Sequence, residues 1–507
     1  MIDMLYLCKS KLRKKASSCR SLMLLLTFFL LFFFPSAYLV ASEELDIEIP
    51  DDLDLLLGSS ASKKHSFGGY IKNETAYRTD EPRSFTKIRN VLSLNFQYAF
   101  RPEFKFYTSG WAYYDHVYDI IDYDTIAARN VRDEKEPLVF LNQLQKEKDD
   151  RRYELKEMYF DIYFDSLDIR IGKQYVVWGV LEGIRIVDEI NPMDFHELIT
   201  PELLDYRVPL WTLKVDYYYG STEYEFLWIP ELKFHQPAPP GSEWELFQRL
   251  DATTTPENFN PKYSEFGFKV TKDIFESEFT LSYFYTWDDY PTTFRIISID
   301  DVTSTDPTQR LAIFPSHSRM QMFGGTFTKE ITGDILKAEF AFITDKYFAI
   351  VDKYENGYLI DDGDVKRNHI RWGLGYDFSF WGADFSPAIA QWVILDYEDY
   401  ILSDQVDTTL NLFIRKPIQK YSAVLNILLI RLINFKETYI KPRLAFNLTD
   451  KFQITLGADI FIGRRTSFGR EADSAADGGL ITPEQRAQFL GNFNENKRVS
   501  VEFKYNF

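Results

Sequence analysis

Segments of about ten residues, in which apolar and polar side chains alternate, recur through most of this chain. In the clearest one, the apolar residues are Val499, Val501, Phe503, Tyr505 and Phe507, and the polar ones are Arg498, Ser500, Glu502, Lys504 and Asn506. Residues 266–270, 370–378 and 452–461 repeat the pattern. A period of two residues is typical of a β-strand, because successive side chains point to opposite faces. The chain is therefore expected to be all-β.

The apolar faces of these segments are rich in aromatic rings, and the chain contains 44 Phe, 32 Tyr and 9 Trp in 507 residues. Aromatic side chains gather where a membrane-spanning sheet meets water on either side of the bilayer. The opposite faces are polar, so two such sheets could not enclose the dry core of a soluble sandwich. A sheet in a bilayer must also close, since an open edge would leave backbone groups unpaired. We therefore predict a single transmembrane antiparallel β-barrel.

Eighteen segments have the length and alternation of barrel strands. They are residues 67–78, 84–100, 103–116, 152–165, 167–178, 210–219, 222–230, 263–272, 277–287, 318–329, 333–344, 367–379, 384–397, 407–416, 421–432, 437–448, 451–463 and 497–507. The weakest are 407–416 and 421–432, the second of which is apolar on both faces, and without this pair the count would be 16. Short and long connections alternate, less regularly in the first half, as expected for short periplasmic turns and long extracellular loops.

Residues 1–42 have the composition of a secretory signal peptide. Six basic residues precede an apolar run at 22–34, and small residues at 40–42 suit cleavage. The run is short for a membrane-spanning helix, although an uncleaved anchor is the alternative reading. Cys8 and Cys19 both lie in this segment, so the exported chain would hold no cysteine for disulfides, metal clusters or covalent haem. We therefore expect no cofactor and a location in the cell outer membrane.

Acidic residues dominate the next segment, residues 43–66, where no basic residue occurs before Lys63. Removal of residues 1–42, whose net charge is +5, changes the net charge of the chain from −18 to −23. Such an acidic chain is a poor partner for nucleic acid. Segment 43–66 is read as a periplasmic tail that docks a partner protein or, preferably, as a disordered leader. The barrel should occupy residues 67–507.

Three stretches resemble an uncharacterised, porin-like outer-membrane family of Gram-negative bacteria. They are residues 172–179 (GKQYVVWG), residues 188–194 (DEINPMD) and residues 67–74 (FGGYIKNE). The first two are similar to a signature of that family in which Trp-Gly is followed by Asp and then by Asn-Pro-x-Asp. The terminal Phe507 also resembles the last residue of outer-membrane barrels, which their insertion machinery recognises. The resemblance implies a barrel over residues 67–507 and implies no particular solute.

Charged residues of both signs fall on the predicted polar faces, eleven basic and eight acidic. The basic candidates for the wall of a pore include Lys72, Arg89, Lys105, Arg170, Lys214, Lys269, Arg371 and Arg443. Mutual pairing between neighbouring strands is the favoured interpretation. The alternative is a mildly basic wall that eases the passage of anionic solutes, since charges that face a pore set its selectivity.

The long connection at 179–209 is the best single candidate for a functional loop. The residues that we select in and next to it are Trp178, Arg185, Asp188, Glu189, Asn191 and Asp194. A long loop with charges of both signs could fold inward and constrict the pore, because long ordered loops are often functional. It could equally form a cap packed over the mouth of the barrel, with Asn191-Pro192 turning the chain.

Signals for catalysis or a metal site are weak. The six histidines are scattered, and no HExxH motif or phosphate loop occurs. A hydrolase at the barrel rim would use His196 or His317, but neither forms a sequence motif with serine and a carboxylate. Acidic groups in loops, such as Asp396, Glu398 and Asp399, are read as solvated charge rather than as cation ligands. We therefore expect no enzyme and no metal.

The leading functional hypothesis is a porin-like channel for the passive passage of small hydrophilic solutes, anionic ones included. The second is the barrel component of an export or lipid-transport assembly, in which residues 43–66 dock a periplasmic protein. A rim hydrolase is the third. The expected partners are outer-membrane lipid, lipopolysaccharide and small solutes, and the sequence shows no oligomer interface.

Overall fold

The computed structural model describes residues 64–122, 125–126, 129, 150–202, 205–239, 242–245, 253–297, 311–350, 354–355, 358–359, 363–463 and 490–507. All of them belong to one compact unit, Lys63–Phe507. The predicted signal peptide and residues 43–63 of the predicted acidic segment lie outside the described residues.

Eighteen strands form one sheet. They are β1 (His65–Arg78), β2 (Phe85–Arg101), β3 (Phe104–Asp115), β4 (Arg151–Phe164), β5 (Leu167–Gln174), β6 (Leu210–Tyr219), β7 (Thr222–Ile229), β8 (Glu265–Asp273), β9 (Ser277–Trp287), β10 (Arg319–Ile331), β11 (Asp334–Ala349), β12 (Asp364–Phe380), β13 (Ala383–Ile394), β14 (Val406–Ile418), β15 (Ala423–Leu432), β16 (Glu437–Asn447), β17 (Phe452–Ile462) and β18 (Arg498–Asn506).

The sheet is a closed antiparallel barrel. Each strand pairs with the next one in the chain, and β18 pairs with β1 in a register that sets Ile71 opposite Tyr505. Closure leaves no sheet edge, as a barrel in lipid requires. The predicted strands at 407–416 and 421–432 are present as β14 and β15, so the count of eighteen is confirmed and sixteen is wrong.

Short and long connections alternate around the whole barrel, including its first half. The short connections are 102–103, 165–166, 220–221, 274–276, 332–333, 381–382, 419–422 and 448–451, and they define the short-turn rim. Gly220 and Gly333 have φ angles of 61° and 94°, which suit two-residue turns that need a left-handed backbone. Most connections at the opposite, long-loop rim are much longer, with 433–436 as an exception.

Several small elements accompany the barrel. They are the helix Val117–Ile120, the 3-10 helices Gln419–Tyr421 and Leu490–Phe493, and two short hairpins, Thr292–Ile297 with Leu311–Ser316 and Tyr354–Glu355 with Tyr358–Leu359. None of the helices in the described part of the chain has the length and apolar character needed to cross a bilayer.

The outer face of the barrel carries exposed apolar side chains. Phe67, Ile71 and Leu281 are examples, and Leu281 is 72% exposed. Rings on adjacent strands contact each other, as Phe104 and Phe160 do at 5.5 Å between centroids. In water such a surface would aggregate, but it is the surface that a barrel presents to lipid. The fold is therefore a transmembrane β-barrel.

The inside of the barrel contains protein. One apolar cluster joins the connection between β5 and β6 to inward-facing residues of six strands. A second cluster, near the long-loop rim, includes Trp244 of the connection between β7 and β8, together with Phe461 and Phe493. The strand residues of both clusters are buried on the face opposite the exposed apolar side chains, so the connecting segments that pack on them lie in the lumen.

Candidate functional site

The described residues of the connection between β5 and β6, 175–202 and 205–209, fold into the lumen and are called the inner loop below. Within it, Ile186 and Asn191 are fully buried, and Val187 is 1% exposed. Its apolar residues pack with inward-facing residues of the wall, which are Leu210, Leu227, Ile229, Phe284, Met320, Met322, Ala341, Ile343 and Ala390. The prediction left open whether this segment caps the mouth or enters the barrel, and the structure places it inside.

Glycines on inward-facing strand positions make room for the inner loop. Four of them form what we call the glycine cradle, and they are Gly267 of β8, Gly324 of β10, and Gly373 and Gly375 of β12. A Cβ atom on them would come within 2.8 Å of Trp178, 2.9 Å of Val187, 2.6 Å of Leu181 and 2.7 Å of Leu181, respectively. Contacts this short do not occur between ordinary side chains, so a larger residue at these strand positions would have to displace the side chains of the loop.

The carboxylate of Glu339 in β11 binds the backbone of the inner loop. One oxygen accepts hydrogen bonds from the N–H groups of Val180 at 2.5 Å and Leu181 at 2.6 Å, and the other accepts one from Val187 at 3.3 Å. Glu339 is only 3% exposed. A buried carboxylate is stable only where donors replace its hydration, and these N–H groups serve as donors. The loop backbone is thus fixed to the middle of a wall strand.

Ion pairs attach the inner loop to other parts of the wall. The pairs are Glu189 with Arg371 of β12 (2.7 Å), Asp194 with Arg152 of β4 (2.5 Å), Glu197 with Lys87 and Arg89 of β2 (both 2.5 Å) and with Arg498 of β18 (3.4 Å), Glu202 with Lys441 of β16 (3.1 Å), and Glu182 with Lys337 of β11 (3.9 Å). Because these strands surround the lumen, the loop spans it from one side to the other.

Two of these carboxylates remain charged although they lie inside the barrel. Burial alone would raise the pKa of Glu189, but the charges of Arg371 and Arg185 outweigh it and lower this pKa to about 2. Burial likewise opposes the charge of Glu197, yet Arg89 and Lys87 hold its pKa well below the usual range. Loop attachment is therefore electrostatic as well as apolar at neutral pH.

Three of the six selected loop residues shape the inner loop itself. Asn191 accepts a hydrogen bond from the Val176 N–H at 2.9 Å and donates one to the Val208 carbonyl at 2.9 Å, which ties the two ends of the loop together. Arg185 donates to the carbonyl groups of Asp188 and Asn191. Asp188 also pairs with Arg207 at 2.5 Å. These contacts give the loop a defined conformation in the lumen.

The other three selected residues contact the wall. Trp178 donates from Nε1 to Glu225 of β7 at 2.6 Å, and Glu189 and Asp194 form the ion pairs described above. The predicted strand at 167–178 was too long, since β5 ends at Gln174 and Trp178 belongs to the loop. Gly172, with φ 143°, precedes this departure from the sheet. The structure thus brings all six residues into one segment inside the barrel.

Seven of the eight basic candidates for the pore wall have carboxylate partners. They are Lys72 with Glu74 (3.0 Å), Arg89 with Glu197 (2.5 Å), Arg170 with Asp161 (2.6 Å), Lys214 with Asp216 (2.8 Å), Lys269 with Glu225 (3.0 Å), Arg371 with Glu189 (2.7 Å) and Arg443 with Asp459 (2.8 Å). The eighth, Lys105, lies 5.1 Å from the ring centre of Tyr163. Two of these partners, Glu189 and Glu197, belong to the inner loop. A count of charges on the strand faces alone does not include them.

One group of three carboxylates among the described residues is close enough to hold a metal ion. Asp216, Glu223 and Glu225 place oxygens within 4.8 Å of one another on β6 and β7. Lys214 lies 2.8 Å from Asp216, and Lys269 lies 3.0 Å from Glu225. These ammonium groups already pair with two of the three carboxylates and would repel a cation, so we assign no metal here.

The two histidines considered for a hydrolase lie in separate surroundings. His196 contacts the carboxylate of Asp194 through Nδ1, inside the lumen. His317 lies 2.8 Å through Nδ1 from the backbone carbonyl of Asp288, and its ring stacks on Phe234 at 3.5 Å. In the described part of the chain neither ring is hydrogen-bonded to a serine hydroxyl. This arrangement gives the hydrolase hypothesis no support.

Solved structures with similar folds are outer-membrane barrels of low sequence identity. OccAB2 of Acinetobacter baumannii is 9% identical with a TM-score of 0.47, over 87% of this chain and 98% of its own. OccK8 (OprE) of Pseudomonas aeruginosa is 8% identical with a TM-score of 0.44, over 87% and 98%. OmpF of Salmonella typhi, in a complex with daunomycin, is 8% identical with a TM-score of 0.35, over 87% and 97%. Similarity this low supports no statement about solute or mechanism.

No curated protein matches the chain. A family model described as "Protein of unknown function (DUF1302)" matches residues 84–507, which is most of the chain and nearly all of the barrel. The match confirms the resemblance to an uncharacterised family, whereas the Trp-Gly and Asn-Pro-x-Asp signature stays a prediction. With its eighteen-stranded barrel and its inward-folded loop, the chain belongs to the DUF1302 family.

Proposed function

We propose that the protein is an outer-membrane channel for the passive passage of small hydrophilic solutes, and that the inner loop is its constriction. The observation that carries the proposal is the attachment of this loop to strands on all sides of a polar lumen. Eighteen strands enclose a space too wide for wall side chains to fill. A loop held across such a space narrows the passage through it.

The outer membrane is the environment that this barrel fits. Closed barrels with an apolar outer face and a polar interior are characteristic of that membrane. The predicted signal peptide would supply export, and the short-turn rim would then face the periplasm. Attachment of an acidic tail to a periplasmic partner stays a prediction, because residues 43–63 lie outside the described residues.

We further propose that the channel is only weakly selective for charge. The excess of basic residues on the strand faces favoured anions, but the inner loop adds Glu189 and Glu197 to the same wall. Glu197 alone lies within 3.4 Å of three basic side chains, Lys87, Arg89 and Arg498. A cation paired at such distances presents little net field to a passing solute. Anion preference therefore stays a hypothesis that reversal potentials can decide.

Single-channel recording in planar bilayers tests the channel proposal. The folded wild-type protein should give stepwise ion conductance, and replacement of residues 180–190 by a short Gly-Ser linker should increase the size of the steps. Because the linker variant could fail to fold, the variant Arg371→Met, which removes one loop attachment, provides a second measurement. Absence of current from both the wild type and the folded variants would overturn the proposal. Equal steps in all of them would overturn the role of the loop.

A further inference from the structure

A cavity lies between the inner loop and strands β1 to β4. Its volume is about 40 Å³, and its lining includes Lys87, Arg89, Arg152, Asp194, Glu197 and Tyr206. A volume of this size holds about three water molecules. The cavity is thus large enough for one edge of a solute and too small for a whole ring.

Most of the charges around the cavity are already paired, and the carboxylates outnumber the cations by one. Three cations and four carboxylates line it. Lys87 and Arg89 each lie 2.5 Å from Glu197, and Arg152 lies 2.5 Å from Asp194. A charged ligand would have to break one of these pairs and leave a buried partner uncompensated, which is costly. The lining therefore discriminates most strongly against anions, and against a cation that would have to displace one of these paired side chains.

The Asp194 carboxylate of the cavity stays ionised and acts as an acceptor. Burial opposes the charge of Asp194, but His196 and Arg152 hold its pKa below the usual range. Burial raises the pKa of the Tyr206 hydroxyl to about 12, so this group stays neutral and can both donate and accept. The cavity thus presents fixed acceptors beside the fixed donors of Lys87, Arg89 and Arg152.

Aromatic rings complete the lining. Trp111 and Tyr113 of β3 line the cavity together with Tyr206 of the inner loop. Trp111 donates from Nε1 to Glu154 at 2.9 Å, and the guanidinium of Arg89 lies 4.2 Å from the ring centre of Tyr113. These contacts fix the rings. Because Arg89 covers one face of Tyr113 and Lys156 lies over one face of Trp111, 4.4 Å from its ring centre, each ring presents at most its other face and its edges to the C–H groups of a ligand.

We propose that this cavity is a binding subsite for an uncharged, hydroxyl-rich solute, a sugar or polyol, one edge of which enters it. A hydroxyl group can donate to a carboxylate and accept from a guanidinium at the same time, without disturbing their pairing. The rings offer apolar contact to the C–H groups between the hydroxyls. The inference rests on the proposed channel function and names the class of solute that the channel favours.

Solute block of single-channel current tests the subsite. The probes are sucrose, the dicarboxylate glutarate and the diamine putrescine, each added to the full-length protein in a planar bilayer. Sucrose should block with the highest affinity, and Trp111→Ala and Tyr206→Ala should each weaken its block about tenfold, as the loss of about 1.4 kcal/mol predicts. Tyr218→Ala, which changes a β6 tyrosine outside the cavity lining, is the matched control.

The possible results distinguish failure of the subsite proposal from failure of the channel proposal. Tighter block by glutarate or putrescine than by sucrose would overturn the solute class, and equal sucrose block by wild type and both cavity variants would overturn the location. If the protein carries no current, the channel proposal fails. Calorimetry of the same three probes with folded protein in detergent then decides the subsite, since sucrose binding that is lost in Trp111→Ala supports it and absence of sucrose binding overturns it.

Discussion

Gly373 of β12 and Leu181 of the inner loop approach each other so closely that a Cβ atom on residue 373 would lie 2.6 Å from Leu181 Cδ1 and 2.9 Å from Ile186 Cδ1. The wall and the loop are therefore complementary in shape at this position. The same relationship recurs at Gly267, Gly324 and Gly375. The position of the loop in the lumen therefore depends on the residues of the wall as well as on those of the loop.

The variant Gly373→Ala should loosen the inner loop. The added methyl group must displace Leu181 and Ile186, and overpacking of this kind typically costs about 1–3 kcal/mol. We expect lower thermal stability and larger or noisier conductance steps. Gly68→Ala is the control, since its Cβ would be 3.2 Å from the Asn95 side chain and away from the loop. Equal thermal stability and equal conductance steps in the two variants would contradict the role of the glycine cradle in holding the loop.

Replacement of Glu339 by leucine should release the loop backbone. The N–H groups of Val180, Leu181 and Val187 would lose their acceptor, at a cost of about 1–3 kcal/mol for each group left unsatisfied. Hydrogen exchange at residues 180–187 should become faster, while exchange in the barrel strands should not change. The variant Glu339→Gln keeps one acceptor oxygen and should show an intermediate effect. Unchanged exchange in Glu339→Leu would rule out this attachment.

His235 should make the inner loop sensitive to acid. Burial and the nearby Arg185 lower the pKa of His235 to about 3, and its neutral Nδ1 accepts a hydrogen bond from the Met193 N–H at 2.9 Å. Because the pKa in the folded protein lies below the ordinary 6.5, a detached loop binds the proton more tightly. The free energy by which neutral His235 favours the attached loop is complete above pH 6.5. It decreases toward pH 3, by up to about 1.4 kcal/mol per pH unit.

Hydrogen exchange around Met193, followed from pH 7 to pH 4 with correction for intrinsic rates, measures this effect. Glu189, Lys346, His317, Asp289 and Tyr290 also face the site, so the wild-type profile alone does not identify the group. The variant His235→Gln keeps an acceptor and removes the titration. Its profile should be flatter than that of the wild type, and identical profiles would exclude His235 as the sensitive group.

The strands and their closure could be predicted from sequence, because each strand carries its own alternation. The pair β14 and β15 was the weakest because 421–432 is apolar on both faces. The structure explains this feature, since Ile430 and Leu432 pack from the lumen side on the cluster that contains Leu198 of the inner loop. An apolar inner face therefore marks a place where the lumen is filled by protein.

The attachment of the inner loop could not be predicted, because its contacts join residues far apart in sequence. Glu189 and Arg371 are 182 positions apart, and Arg371 was selected only as a basic residue on a polar face. Glycines at alternate inward positions, such as Gly373 and Gly375, were a readable signal that was overlooked. Both follow the strand period, so their missing side chains already indicated that something lies against that face.

Glu197 should be the most sensitive loop carboxylate, because it contacts three cations on two strands. Glu197→Gln would leave Lys87, Arg89 and Arg498 without their shared negative partner in a buried setting. Breaking a buried pair in this way typically costs about 3–5 kcal/mol. The variant also removes one negative charge, which makes the net charge of the wall more positive by one. The reversal potential in a salt gradient should therefore shift toward anion preference. Thermal unfolding in detergent and bilayer recording measure the two effects.

The matched control is Glu202→Gln in the same loop. Glu202 pairs with Lys441 at 3.1 Å, but its side chain is 72% exposed. Because water already solvates Glu202, and because the buried Lys441 keeps its hydrogen bond to the Pro201 carbonyl, this pair contributes about 0–1 kcal/mol. The variant should therefore unfold close to the wild-type temperature. If Glu197→Gln is as stable as Glu202→Gln, the ion pairs do not fix the loop. Apolar packing on the glycine cradle would then be the main force that holds it in the lumen.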